Sequence, residues 1–252
     1  MRSRIIAGPR AVLEALNRGG EGVQVVFVGA AEAQGRKISK VIDAARTRNA
    51  RLERIEAARL QALAGGLRHQ GVVAVTGAYP YVELDTVLAK ARPRPLLLAL
   101  DHITDPHNLG AMVRSAVAFG VDGVVTLKRR ACPVTPVVVR TSTGATEHAR
   151  IVRVTNLSRT LAELRERGLQ VVGLEERAEA EIGTLPYPAK GRVLVIGSEG
   201  SGLRRLVRAG CAALARIELP GPISSLNASV AAGIAIYESS KQRARAKKNF
   251  PL

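Results

Sequence analysis

From Pro95 onward, short apolar runs alternate with segments of helical periodicity, and this pattern leaves few folds open. PLLLALD, GVVTL, LQVVGL and RVLVIG are apolar over nearly their whole length. A strand apolar on both faces is covered on both faces, and strands joined through helices run parallel. LGAMVRSAVAF, LSRTLAELRERG, LRRLVRA and ASVAAGIAIYESSK supply the covering helices, with further strands expected near residues 151–154 and over ARIEL. Residues 95–252 are thus predicted to form a doubly wound α/β domain.

The preceding residues repeat the alternation on a smaller scale. In GPRAVLEALNRGG, Gly8 and Pro9 mark a helix start and Gly19 and Gly20 its end. VQVVFVG reads as a strand, and Ile38, Val41, Ile42 and Ala45 recur at helical spacing. A strand over 50–55, a helix over 57–64 and the strand VVAVT complete a small α/β domain, residues 1–76. Residues 77–94, interrupted by Pro80 and Pro93, read as the connection, with room for a turn or two of helix in VELDTVLAKA.

Composition narrows the function. The 252 residues carry 38 Lys plus Arg against 21 Asp plus Glu, a net charge of +17. Residues 1–94 hold +8 of it and residues 95–252 hold +9, so both parts are basic, as expected of a protein working on a polyanion. Aromatic residues make up only 3%, with no Trp, so phosphate contacts and shape are expected to matter more than base stacking. KQRARAKK, residues 241–248, reads as a basic C-terminal tail, either a solvated, frayed end or part of the polyanion contact. Cys132 and Cys211 form no CxxC pair and imply neither a disulfide framework nor a zinc site. No run reaches the ~18 apolar residues of a membrane span and no secretory signal opens the chain, so a cytoplasmic protein is expected.

Ligands of open parallel sheets bind beyond the carboxyl ends of the strands, and three such loops have unusual chemistry. In DHITDPHNLGAMVRSAVAFG, Asn108 is placed to cap the following helix and Gly120 to end it. Arg114 is the one charge between Leu109 and Phe119; it faces a carboxylate, a site or solvent. Asp101, His102, Asp105 and His107 match no familiar ligand spacing, so no metal is expected. In VLVIGSEGSGLRR the glycine-rich turn suggests an anion cradle, yet Glu199 would repel a pyrophosphate and no Walker-type Lys is present. That loop suits a ligand with cationic groups, unless Glu199 merely caps a helix. In IELPGPISSLNASVAAG, Ser224, Ser225 and Asn227 precede a helix rich in Ala and Gly; each is also a plausible cap.

Together these loops resemble the three signature motifs of the SpoU, or TrmH, branch of the SPOUT methyltransferases. NLGAMVRSAVAFG corresponds to the first motif, IGSEGSGL to the second and IELPGPISSLNASVAAGIAIYE to the third. RTSTGATEH, residues 140–148, resembles a further family segment, and IIAGPRAVLEAL with LRHQGVVAV resembles the small substrate-binding domain fused to some members. The nearest subgroup is that of the 23S rRNA guanosine 2′-O-methyltransferases acting on the peptidyl-transferase loop. The resemblance implies an α/β domain with a deep trefoil knot, where strand patterning alone predicts an unknotted sheet. It also implies a homodimer, an RNA-binding N-terminal domain, S-adenosylmethionine (AdoMet) as cofactor, and 23S rRNA or its precursor particle as partner.

By the same resemblance Gly197, Gly202, Ile217, Pro220 and Leu226 contact the cofactor, while Arg114 is the central catalytic residue amid Asn108, Glu199, Ser225 and Asn227. Guanidinium groups lose a proton too reluctantly to be general bases, so Arg114 is expected to act as a positioned cation that binds RNA phosphate and favours the alkoxide. Two other readings use the same scaffold: a tRNA 2′-O-methyltransferase, and a catalytically silent RNA-binding or assembly factor.

Overall fold

Two sheets hold the strands of the chain in a computed structural model that describes residues 3–17, 22–30 and 35–249. In chain order come β1 (Arg4–Ala7), α1 (Pro9–Asn17), β2 (Val23–Gly29), α2 (Arg36–Thr47), β3 (Arg51–Ile55), α3 (Ala57–Ala64) and β4 (Val72–Thr76). Then follow α4 (Leu84–Ala89), β5 (Leu96–Leu100), α5 (Pro106–Ala118), β6 (Gly123–Leu127), α6 (Pro136–Thr141) and a 3-10 turn at Ala145–Glu147. The chain continues through β7 (Ile151–Val154), α7 (Leu157–Glu166), β8 (Gln170–Leu174), β9 (Ala180–Glu181) and β10 (Arg192–Ile196). It ends with α8 (Arg205–Gly210), β11 (Ala213–Arg216) and α9 (Ala228–Asn249). Met1–Pro80 and Val134–His148 belong to one unit, Tyr81–Pro133 and Ala149–Leu252 to the other.

The first unit has a mixed sheet in the order β1-β4-β2-β3, with β4 antiparallel to both neighbours and β2 parallel to β3. Strand β1, only four residues long, is too short to show a periodicity and was not foreseen from the pattern. α1 packs on α2, while Leu60 and Ala64 of α3 meet Ala7, Ile55 and Val73 of the strands. Residues 134–148 complete this unit: Arg4 pairs with Glu147 at 2.8 Å, both side chains more than nine-tenths buried, and the Tyr79 hydroxyl donates to the Thr146 carbonyl at 2.7 Å. The helix end expected at Gly19 and Gly20 lies outside the described residues.

The second unit is the parallel sheet that the apolar runs predict, in the order β7-β6-β5-β10-β8-β11-β9, every neighbouring pair parallel. Leu97, Ala99, Val125, Val193 and Val195 line one face and pack with Leu157, Leu161 and Leu164 of α7 and Val207 of α8. α9 lies beside β5 and β10 and against α5. Within the segment expected as a connection, α4 buries Val87 in the same core.

The C-terminal basic run is helical rather than frayed. Arg243 of α9 bonds Asp122 at 2.9 Å and the Gly120 carbonyl at 2.9 Å, so this cation is spent on packing. Deeper, Arg192 at the start of β10 is fully buried, and that burial pulls its guanidinium down to about 10, still charged at neutral pH. It donates to Gln170 (3.0 Å), to Ser239 and Gln242 of α9 (3.1 and 2.5 Å) and to the Pro186 carbonyl (2.7 Å). Cutting Arg192→Ala leaves these acceptors buried without a donor. It should lower unfolding stability by about 3 kcal/mol or more, read from urea denaturation; a loss under about 0.5 kcal/mol, the range of an ordinary surface change, would refute the anchoring role.

Candidate active site

Because β5, β10, β8 and β11 are neighbours and parallel, their carboxyl ends open on one edge of the sheet. The loops that follow β8, β10 and β11 enclose a cleft of about 730 Å³, within the size range of small-molecule sites. Of the expected residues, Gly197, Glu199, Gly202, Ile217, Ser225, Leu226 and Asn227 line it. So do Leu174, Glu175, Glu176 and Arg177 after β8, which sequence reasoning passed over. Their signal was present: LQVVGLEER is another strand of the same type, and the carboxyl-end rule applies to it equally.

The loop after β10 folds back on itself. The Ser198 carbonyl accepts from the Gly202 amide at 2.9 Å, and the Ser198 and Ser201 hydroxyls lie 2.6 Å apart. Gly200 and Gly202 have φ of 78° and 60°, where a side chain is strained. A Cβ on Gly197 would overlap the backbone of Gly202 and Leu203. Asp101, fully buried at the end of β5, fastens the far end of this loop: one carboxylate oxygen accepts the Arg204 amide at 2.8 Å, the other meets His102 Nδ1 at 2.5 Å. The Asp–His pair that sequence placed among weak metal candidates therefore anchors a loop. Among the described residues there is no group of three or more His, Cys, Asp and Glu side chains suited to a metal ion.

Asn227 joins the three loops. Its side-chain oxygen accepts from the Ser229 amide at 2.9 Å, capping α9, while its Nδ2 donates to Asn108 Oδ1 at 3.0 Å and to Glu199 Oε1. Capping and site building are thus the work of one side chain. Glu199 also accepts from the Ala228 amide at 3.4 Å, so it faces the N-terminus of α9 instead of capping the helix that follows its own loop. The expectation that Asn108 caps α5 is corrected. Asp105 is the cap, accepting from the His107 and Asn108 amides at 3.1 Å each, with Pro106 in the first turn. That leaves Asn108, itself buried, free to meet Asn227.

Two expected residues stand apart. Arg114 lies exposed on α5 outside the cleft lining, with no hydrogen bond or ion pair among the described residues. Pro220 is exposed and is also absent from the lining. Of the three settings considered for Arg114, this chain alone gives it solvent. Both cysteines are reduced; burial raises both thiols, Cys211 to about 11, which keeps them protonated and poorly nucleophilic at neutral pH.

The cleft suits AdoMet. Apolar Ile196, Leu203, Ile217 and Leu226 offer contacts to an adenosyl group, and Glu175, Glu176 and Glu199 favour the positive charges of an ammonium and a sulfonium. Arg208 holds Glu175 at 2.7 Å. Replacing Asp101→Ala removes the acceptor that pins the Arg204 amide, so AdoMet affinity should fall about tenfold, or about 1.4 kcal/mol. Isothermal titration checks this, and an unchanged Kd would show that Asp101 does not position the loop.

Residues 95–237 match the SpoU rRNA Methylase family, and residues 5–82 match the RNA 2′-O ribose methyltransferase substrate binding family. The chain is 39% identical over 249 residues to a 23S rRNA (guanosine-2′-O-)-methyltransferase, RlmB, of Xylella fastidiosa, covering 96% of this chain and 98% of that protein. It is 43% identical over 211 residues to a putative TrmH family tRNA/rRNA methyltransferase, YacO, of Bacillus subtilis, covering 81% and 82%. Among solved structures, the SpoU methyltransferase AviRb of Streptomyces viridochromogenes in complex with AdoMet superposes with a TM-score of 0.82 at 26% identity, covering 96% of this chain and 91% of that one. With a family model matching more than half of the chain and a relative 39% identical over nearly all of it, the chain belongs to the SpoU rRNA methylase family.

Proposed function

We propose that this protein transfers a methyl group from AdoMet to the ribose 2′-hydroxyl of a guanosine in the peptidyl-transferase loop of 23S rRNA. At the coarser level it is an AdoMet-dependent RNA 2′-O-methyltransferase. The observation that carries the reading is the junction at Asn227, which lines the cleft with Glu199 and joins both to Asn108 of the first loop. Relatives named for 23S rRNA guanosine support the finer target, and such a substrate places the enzyme in the cytoplasm. Among the described residues no helix is long and apolar enough to cross a membrane.

Bound in the cleft, AdoMet supplies an electrophilic methyl group. Gly197, Gly202, Ile217 and Leu226 hold it through backbone groups and apolar sides, with Pro220 shaping the loop beside them. Glu199, Asn108, Ser225 and Asn227 fix the polar rim. Arg114 binds the RNA phosphate and stabilises the developing alkoxide, and phosphate or water accepts the proton. These residues act by holding the hydroxyl in line and dispersing charge.

A homodimer accounts for Arg114 standing in solvent. Phe119 and Tyr237, ring centroids 5.5 Å apart, and Val230 expose apolar surface on α5 and α9, a face that a second copy would cover. The trefoil knot that the family resemblance implies is part of this reading, and α9 lying beside β5 and β10, although β11 lies beyond β8, is compatible with it. The N-terminal unit then serves as the RNA-binding domain.

Incubating the purified protein with radiolabelled AdoMet and either 23S rRNA or tRNA should label one guanosine ribose in the 23S RNA. Label confined to tRNA would move the target, and no transfer to either would favour the silent factor. Arg114→Ala should lower turnover at least a hundredfold, of the size seen when a charge-stabilising group is removed, while AdoMet binding persists. Arg114→Lys should keep partial turnover, and wild-type activity in Arg114→Ala would refute its role.

A further inference from the structure

The +8 charge of the first 94 residues is not spread evenly. Residues 36–54 contain seven of the sixteen cations and two of the eight acids in that stretch. Arg36, Lys37, Lys40 and Arg46 stand exposed on α2, and Arg48, Arg51 and Arg54 continue the exposed series through the turn and along β3, an edge of the sheet. Among the described residues, only Arg51 has a carboxylate partner within ion-pair distance, Glu53 at 2.7 Å.

Folding alone does not explain this arrangement. A solvated helix face gains from alternating Glu and Lys at i, i+4, whereas Arg36 above Lys40 stacks like charges and weakens the helix. Arg36 and Lys37 sit in the first turn of α2, where the helix dipole disfavours cations, and no acidic residue accompanies them there. Elsewhere in the unit, among the described residues, the exposed cations Arg10, Arg59, Arg68 and Arg140 are scattered along the sequence, and Glu56 stands three residues before Arg59. A local rule broken repeatedly on one surface is the mark of a surface kept for a partner.

We infer that the exposed face of α2 with edge strand β3 is where the N-terminal unit grips the phosphate backbone of its RNA, a proposal that rests on the RNA-methyltransferase reading. Phosphate contacts need cations in a row and carry no sequence information, so this face supplies affinity and orientation while the cleft supplies chemistry.

The test uses full-length protein and a 23S rRNA transcript, with Kd measured by filter binding across KCl concentrations. K37E/K40E should raise Kd about tenfold or more near 0.15 M salt and lower the salt slope by about 2, one contact per cation. R59E/R68E changes the net charge equally from other parts of the unit and should have a much smaller effect. Unchanged AdoMet binding and thermal midpoint show that K37E/K40E is folded. Equal weakening by both pairs, or none by K37E/K40E, overturns the assignment. If wild-type protein methylates the transcript and K37E/K40E binds it normally, the surface alone is wrong; if wild-type protein neither binds nor methylates it, the underlying reading falls and the surface with it.

Discussion

Parallel pairing of β10 with β5 on one side and β8 on the other is the constraint on which the second unit depends. A strand paired on both edges and largely apolar on both faces leaves its polar chemistry to its two ends, and ligands of such sheets bind beyond the carboxyl end. With β11 next to β8, the loops after the three adjacent strands β10, β8 and β11 converge there, and the cleft follows from strand order. Arg192 acts at the opposite end of β10, where its buried guanidinium binds Ser239 and Gln242 and so ties α9 to the sheet. The N-terminus of that same helix presents Asn227 to the site.

Side-chain chemistry turns the converging loops into a defined surface. The Asn227 amide has two donors and one acceptor atom, and it uses them to cap its helix and to hold Asn108 and Glu199 together. Asp101 pins the glycine-rich loop from below, and glycine at 197 lets that loop close on itself. Asp101 is fully buried, so removing it would leave the Arg204 amide without its acceptor where a lost hydrogen bond is costly, whereas Asn227 and Glu199 meet at the exposed rim.

Much of this was legible in the sequence, for physical reasons. The parallel sheet followed from runs such as RVLVIG, because a strand buried on both faces has little room for polar residues. Glu199, Ser225 and Asn227 stood out as odd chemistry at strand ends, whereas Gly197, Gly202, Ile217 and Leu226 came only through the family resemblance. Asn108 was misread as a cap because Asn, Asp and Ser are nearly interchangeable there, and only the placement of Pro106 in the first turn makes Asp105 the cap. β1 and the membership of residues 134–148 in the first unit stayed hidden because short elements carry no period and the Arg4–Glu147 pair spans distant sequence. The C-terminal run looked like a tail because Arg243 meets Asp122 only in three dimensions.

If the proposed cofactor site is built on the Asn227–Glu199 contact, the two residues act as one unit. A double-mutant cycle of Asn227→Ala and Glu199→Ala, read as AdoMet affinity by calorimetry, tests it most directly. Strong coupling is expected, about 1 kcal/mol or more, with the second substitution costing little once the first is made. Losses that add to within about 0.5 kcal/mol would contradict it, showing two independent contacts where one junction is claimed.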